Sequence, residues 1–457
     1  MPSKRTSRQP ELLITLSRDR RRPMREQLQD ELRTAIRDRR LRPGTVLPST
    51  RTLADDLSVS RGVVVEAYEQ LAAEGYLVTR AGGATRVAEL IRVRQQAAAA
   101  MTDERFAFDF HPGEPDLHNF PYDSWQRAIR KAARALNPAQ LRYRDPRGAI
   151  ELREALSSYL ARARGVVSTP EQVVVCSGCT QGLSLAGRVL QKRGATRLAV
   201  EAPGHPHVRQ VVMECGLTPV PIPVDDDGLD VTALQRHSVS GVIVSPAHQN
   251  PTGTVLSAHR RQQLLAWAAR TGAIVIEDDY DAEYRYDRRA VGALQGLSLR
   301  HTWYVGSASK LLAPNLRLGW LIVNGPMLDD IVRTKLHVDA GTPVMEQLAY
   351  AHFIDSGELD RHLRRMRRIY ASRRLALLRA LHAHCPDWDV KGAAAGLHLV
   401  AVPTTDRQQR AVLDRAARHS IRLYPLSGYN AGTRGFVFGY AKLTEAQIAA
   451  AFTRLFG

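Results

Sequence analysis

The sequence predicts an α/β protein. A winged helix-turn-helix comes first, then a mostly parallel, doubly wound sheet that ends in a small C-terminal α+β subdomain. Three observations carry this expectation. Residues 24–88 hold three helical patterns and a Gly-rich hairpin signal. From Phe106 onward, apolar β runs (VVVCSG, RLAVEAP, GVIVSPA, AIVIEDDY, TWYVGS and RLGWLIV) alternate with helical segments, as buried parallel strands covered on both faces should. Between the last two runs, in WYVGSASKLLAPNLRLGW, a Gly/Ser/Ala turn presents Lys310.

A chain of 457 residues is too long for one compact core. It divides into a winged helix-turn-helix at 1–88, a linker at 89–106 and a body at 107–457. Hydrophobic content of 44% and charged content of 24% describe an ordinary soluble protein. No uncharged apolar run is long enough to span a membrane, and MPSKRTSRQP lacks the apolar core of a signal peptide, so a cytoplasmic protein is expected. Four cysteines are too few for a disulfide framework, and Cys176-x-x-Cys179 has no second pair for zinc, so no metal is expected. Residues 1–88 carry 17 Lys/Arg against 11 Asp/Glu, +6 of the total +18. That excess favours a polyanion such as DNA, although an Arg-rich composition explains it equally well.

Taken in order, residues 1–20 are polar and basic. Leu28, Leu32 and Ile36 recur every four residues and predict a helix over Met24–Arg39, ended by Pro43-Gly44. Ser49 or Thr50 caps a short helix with Leu53, Ala54 and Leu57. Ser58-Val59 turns the chain, and Ser60 caps a second helix whose Val63, Val64, Ala67, Tyr68 and Leu71 face inward. Ser60, Arg61 and Glu66 then point outward where a recognition helix meets a groove. Two β-prone runs, Tyr76–Thr79 and Thr85–Val87, flank Ala81-Gly82-Gly83 as a wing, with Arg80 and Arg86 near phosphates. In the body, a long basic helix near Glu358–His382 precedes the smaller α+β unit.

The chain has 7 Lys against 57 Arg, so a merely basic position would usually be Arg, whereas only an amine forms a Schiff base. Ser307, Ser309 and Arg317 around Lys310 offer two hydroxyls and a fork-shaped cation for a phosphate dianion. That set suits pyridoxal 5'-phosphate (PLP), although alone it also fits an ordinary turn. Other strand ends add parts in order. Ser177-Gly178-Cys179-Thr180-Gln181 opens a helix whose amides and Thr180 hydroxyl can cradle phosphate. His205 can lie against a pyridine ring, Asn250 can donate to its phenolic oxygen, and Tyr280 can reach the same oxygen. Asp278 can keep the ring nitrogen protonated. Alone, Asp278 reads as a helix cap and Asn250 as a turn residue; their joint appearance before Lys310 favours the cofactor.

Residues 24–88 resemble a GntR-type winged helix: PSxRxLAxxLxVSRxxVxxAYxxLxxEGY runs from Pro48 to Tyr76. The resemblance implies binding of double-stranded operator DNA as a dimer, through Arg51, Ser60 and Arg61 and through Arg80 of the wing. Residues 106–457 are similar to fold-type I, class I aminotransferases. That implies PLP held as an internal aldimine by Lys310, Asp278 on the ring nitrogen, and Asn250 and Tyr280 on the phenolic oxygen. It also implies Ser307, Ser309 and Arg317 on the phosphate, and Tyr143 reaching that phosphate from the partner subunit. Two positions depart from the family pattern. His205 replaces the usual stacking tyrosine, and Arg434, the candidate for an effector carboxylate, sits a few residues early. End to end, the chain resembles the MocR-like branch of GntR regulators. This implies a dimeric, domain-swapped regulator that senses PLP itself, or an amine or amino acid, through aldimine chemistry. The alternative is an active cytoplasmic aminotransferase with an accessory DNA-binding domain.

Overall fold

The computed structural model describes residue 14 and residues 16–17, 22–79, 83–89, 106–287, 291–429, 432 and 434–457. The chain divides into two units, Met1–Asp103 and Glu104–Gly457. In the first, α1 (Met24–Arg37), α2 (Thr50–Leu57) and α3 (Arg61–Ala73) precede the strands β1 (Leu77–Val78) and β2 (Arg86–Val87). Helix α1 stops two residues before the expected end, because Asp38 caps it and Arg39 turns left-handed at φ 59°. Ser49 caps α2, its hydroxyl accepting from the Thr52 amide at 3.1 Å, and Ser58 turns the chain at φ 53°. Ser60 occupies the cap position of α3 without making the side-chain bond.

Leu28, Leu32 and Ile36 bury against Leu53, Val64, Ala67, Tyr68 and Leu71, the inward faces that the spacing predicted. Tyr68 donates to the Pro48 carbonyl at 3.1 Å and so ties α3 to the start of α2. The strands form the antiparallel wing, with Leu77 opposite Val87.

The second unit opens with β3 (Phe108–Asp109), α4 (Tyr122–Ala135), α5 (Ile150–Arg164), β4 (Val173–Cys176), α6 (Cys179–Lys192) and β5 (Arg197–Ala202). It continues through α7 (Pro206–Glu214), β6 (Thr218–Asp225), β7 (Gly228–Leu229), α8 (Val231–Leu234), β8 (Gly241–Val244), α9 (Ala258–Thr271), β9 (Ile274–Asp279), β10 (Thr302–Ser307) and β11 (Gly319–Ile322). The eight-stranded sheet has the order β4-β11-β10-β9-β8-β5-β6-β7. From β10 to β6 the pairs are parallel, while β11 runs antiparallel to both β10 and β4. The carboxyl ends of β4, β5, β8, β9 and β10 therefore emerge at one edge.

Alternation fixes what each face buries. Trp303 and Val305 of β10 pack with Leu183 and Ala186 of α6, whereas Tyr304 packs with Leu156 of α5 and Tyr350 on the other face. Gly319 lets the start of α6 close on β11, since a Cβ there would lie 2.6 Å from the Gly178 carbonyl carbon.

The remainder comprises α10 (Leu328–Asp339), α11 (Val344–Asp355), α12 (Glu358–His384), β12 (Asp389–Lys391), β13 (His398–Val402), α13 (Asp406–Arg418), β14 (Ile421–Arg422), β15 (Tyr424–Pro425), β16 (Phe436–Gly439) and α14 (Glu445–Phe456). Its four-stranded sheet, β12-β13-β16-β15, is the expected smaller α+β unit, and β14 pairs with β3. No helix among the described residues is long and apolar enough to cross a membrane.

Candidate functional site

The strand ends of the large sheet line a cavity of about 320 Å³. Its wall joins Cys179 and Thr180 of α6, Glu201 and His205 around the end of β5, and Asn250 beyond β8. Asp278 and Tyr280 at the end of β9, Lys310 beyond β10 and Gly113 complete it. Gly113 has φ 77°, so its backbone calls for glycine, and an added Cβ would only touch Lys310 Nζ at 3.4 Å. Burial pushes the Lys310 amine below its ordinary value, against the charges of Asp281 and Asp278, which favour the ammonium form.

Asp278 and Asp279 show how one strand serves two environments. Asp278 faces the cavity, where burial raises its carboxyl to about 6. Cys179 Sγ donates to it at 3.2 Å, and burial keeps that thiol protonated. The Cys179 side chain thus serves Asp278, while its residue opens α6. Asp279 turns the other way and forms a fully buried ion pair with Arg164 of α5 at 2.7 Å. Tyr304 donates to the same carboxylate at 2.8 Å.

Arg317 lies over the start of α6: Nη2 donates to the Ser177 carbonyl at 2.6 Å, and a Cβ on Gly178 would come within 3.0 Å of it. Arg317 itself holds φ 50°, a left-handed conformation costing roughly 1–2 kcal/mol for a non-glycine residue. Ser307 is buried, with its hydroxyl 2.8 Å from Ser309 Oγ and 3.2 Å from the Leu318 carbonyl. It shapes the turn and does not line the cavity. Thr180 Oγ1 pairs with His207 Nε2 at 2.9 Å. His205 caps α7, its Nδ1 accepting from the His207 amide at 3.2 Å, which assigns the ring proton to Nε2. Burial lowers this ring to about 4, so it is neutral at pH 7, and it meets Tyr429 edge-on at 6.2 Å.

Other expected residues stand apart from the cavity. Tyr143 is 94% exposed, and Arg434 pairs with Asp406 at 3.6 Å outside the cavity wall. On the first unit, Arg51, Ser60 and Arg61 are exposed, and Arg61 Nε lies 3.4 Å from Thr50 Oγ1. Glu66 does not stand free at the recognition surface, because Arg25 of α1 holds it at 2.9 Å. Arg86 donates to the Gly44 carbonyl at 3.1 Å, which ties the wing to the α1–α2 loop. Arg80 and residues 90–105 of the linker lie outside the described residues.

Glu201 escaped the sequence reading. Burial raises its carboxyl to about 8, although the Gln249 amide and the Ser245 backbone N–H each donate to Oε2 at 3.3 Å. The available signal was a carboxylate at the end of an otherwise apolar strand.

Asn250 Oδ1 is buried without a hydrogen-bond partner, and amide orientation follows partners. An amide whose carbonyl oxygen lacks a partner, an amine and a carboxylate around one cavity, with a helix N-terminus and a guanidinium beside it, fit a phosphorylated pyridine aldehyde. Fold and site together define a helix-turn-helix protein with an aminotransferase-like body, a fold that implies use of PLP.

Residues 109–455 match the family "Aminotransferase class I and II", and residues 24–87 match "Bacterial regulatory proteins, gntR family". Over 455 residues the chain is 33% identical to the probable rhizopine catabolism regulatory protein MocR of Rhizobium meliloti, covering 94% of this chain and 92% of that protein. It is 33% identical over 429 residues to the HTH-type pyridoxine biosynthesis transcriptional regulator PdxR of Corynebacterium glutamicum, covering 92% of each. Among solved structures, an archaeal alanine:glyoxylate aminotransferase matches with a TM-score of 0.70 at 22% identity, over 77% of this chain and 90% of that one. The Pyrococcus horikoshii kynurenine aminotransferase, solved in complex with PMP, matches with a TM-score of 0.69 at 25% identity, over 76% and 89%. The chain belongs to the MocR-like branch of the GntR family of bacterial transcriptional regulators.

Proposed function

We propose that this regulator binds PLP covalently at Lys310 and uses the loaded cavity to sense PLP itself or an amine or amino-acid effector. The observation that carries the reading is the convergence of Lys310, Asp278, Asn250 and Tyr280 on one cavity wall. PLP, when bound, supplies a carbonyl that amines attack and a ring that withdraws electrons. The chain's own residues do the rest. Asp278 balances a protonated ring nitrogen, Asn250 and Tyr280 donate toward the phenolic oxygen, and the α6 amides with Thr180, Ser309 and Arg317 hold the phosphate dianion. The depressed Lys310 amine reacts more readily than an exposed lysine. Tyr143 reaches the phosphate of the partner subunit in a homodimer, and its exposure in a single protomer supports that role. Arg51, Ser60 and Arg61 meet operator DNA in two half-sites.

The test combines spectra with DNA binding. Purified protein mixed with PLP is expected to gain a visible band that borohydride fixes, and Lys310→Ala to lose it. Operator affinity should change when PLP or an amine is added. If operator affinity stays identical in every state while amino-group transfer turns over at about 1 per second or faster, the sensing reading gives way to an aminotransferase.

A further inference from the structure

Beside Tyr280 lie three buried side chains without an assigned role. His248, Asp281 and His398 are 2%, 1% and 0% exposed. His248 Nδ1 lies 3.1 Å from Asp281 Oδ2, 3.2 Å from Oδ1 and 3.1 Å from the Tyr280 hydroxyl. Its other nitrogen, Nε2, is buried and has no partner. A proton on Nε2 would be an orphaned buried donor, so the proton belongs on Nδ1, where a carboxylate accepts it. Tyr280 sends its own proton to the His248 carbonyl at 2.9 Å.

His398 Nε2 lies 3.1 Å from the Pro251 carbonyl, to which it donates, so its part is to hold the segment that follows Asn250. A Cβ on Gly396 would lie 2.0 Å from His248 Cε1 and 2.6 Å from Asp281 Oδ2. The Gly396 backbone therefore packs directly against the pair.

We propose that His248 and Asp281 are positioning residues for the Tyr280 hydroxyl. The Asp281 carboxylate fixes the Nδ1–H tautomer of His248, and that single N–H is shared between the carboxylate and one lone pair of the phenol oxygen. The hydroxyl proton is then presented to an acceptor in the cavity or, without one, to the His248 carbonyl. The inference rests on the reading that PLP fills the cavity, its phenolic oxygen being that acceptor. Exact tautomer and orientation matter because a hydroxyl has one proton to give.

A double-mutant cycle on the full-length protein tests this, with PLP as the titrant and apparent Kd as the readout. Asp281→Asn and Tyr280→Phe are each expected to weaken PLP binding about 10-fold, and the double variant also by about 10-fold, because both break the same contact. A double variant about 100-fold weaker would show independent effects and overturn the proposal, as would an Asp281→Asn protein that binds like wild type. His248→Gln serves as the second variant and should show the same non-additivity with Tyr280→Phe. If both Asp281→Asn and His248→Gln fail to fold, the pair is a packing element and the proposal is overturned. A wild-type protein that takes up no PLP removes the cofactor reading itself, whereas additive losses against a PLP-binding wild type remove only the positioning role.

Discussion

Glu201→Gln should flatten the dependence of body stability on pH. In the folded chain burial raises Glu201 to about 8, from an ordinary value of 4.5. The folded state therefore holds a proton that the unfolded state releases, and stability from this group is fully present below pH 4.5 and lost as pH rises toward 8. Each pH unit crossed with one extra proton in the folded state costs about 1.4 kcal/mol. Three units, from pH 5 to 8, sum to at most roughly 4 kcal/mol. Glutamine keeps the size and removes the titration.

Urea unfolding followed by tryptophan fluorescence reads the body alone, because all five tryptophans lie between Trp125 and Trp388. Wild type should lose stability relative to Glu201→Gln across that window. Other buried groups contribute slopes of their own, with Asp278 raised to about 6 and His205 lowered to about 4, so the difference between the two proteins is the quantity to compare. Parallel stability curves from pH 5 to 8 would refute the assignment of a protonated Glu201.

Removing Asp279 in Asp279→Ala leaves Arg164 as an unpaired buried charge and should cost about 3–5 kcal/mol in the same unfolding assay, whereas loss below 1 kcal/mol would mean that water reaches the guanidinium. Arg61→Ala should weaken operator binding by about 1–3 kcal/mol if the side chain reads a base; an equal loss on scrambled DNA would reduce it to a phosphate contact. PLP or an effector amine should shift operator affinity about 5- to 150-fold, and operator DNA must change the apparent affinity for that ligand by the same factor. Unequal factors in equilibrium titrations would contradict the two-site linkage.

Much of the molecule was legible in the sequence because its local rules agree. Four-residue spacing placed the apolar faces of α1 and α3, and Gly and Ser marked the turns between them. Buried strands read as continuous apolar runs, so six of the eight strands of the large sheet, and the strand ends bearing Asn250, Asp278 and Lys310, could be named in order. The family hallmark from Pro48 to Tyr76 marks the helix-turn-helix in the sequence.

Direction and partnership were decided only by tertiary structure. That Asp278 faces the cavity while Asp279 enters the core against Arg164 depends on the register of β9 between β8 and β10 and on where α5 packs. Cys179 reads in sequence as part of a phosphate cradle built from backbone amides, yet the donor role of its thiol follows from the carboxylate that β9 brings beside it. Glu66 looks like a free recognition-helix residue until α1 delivers Arg25. His248 and Asp281 are 33 positions apart, and neither forms a motif alone; the fold seats them together and excludes water, so each becomes the other's hydrogen-bond partner. Local propensity and periodicity act within one element, and a sequence displays them. The proton held by a buried carboxylate or imidazole depends on which distant groups share its enclosure, and only the packed chain specifies that.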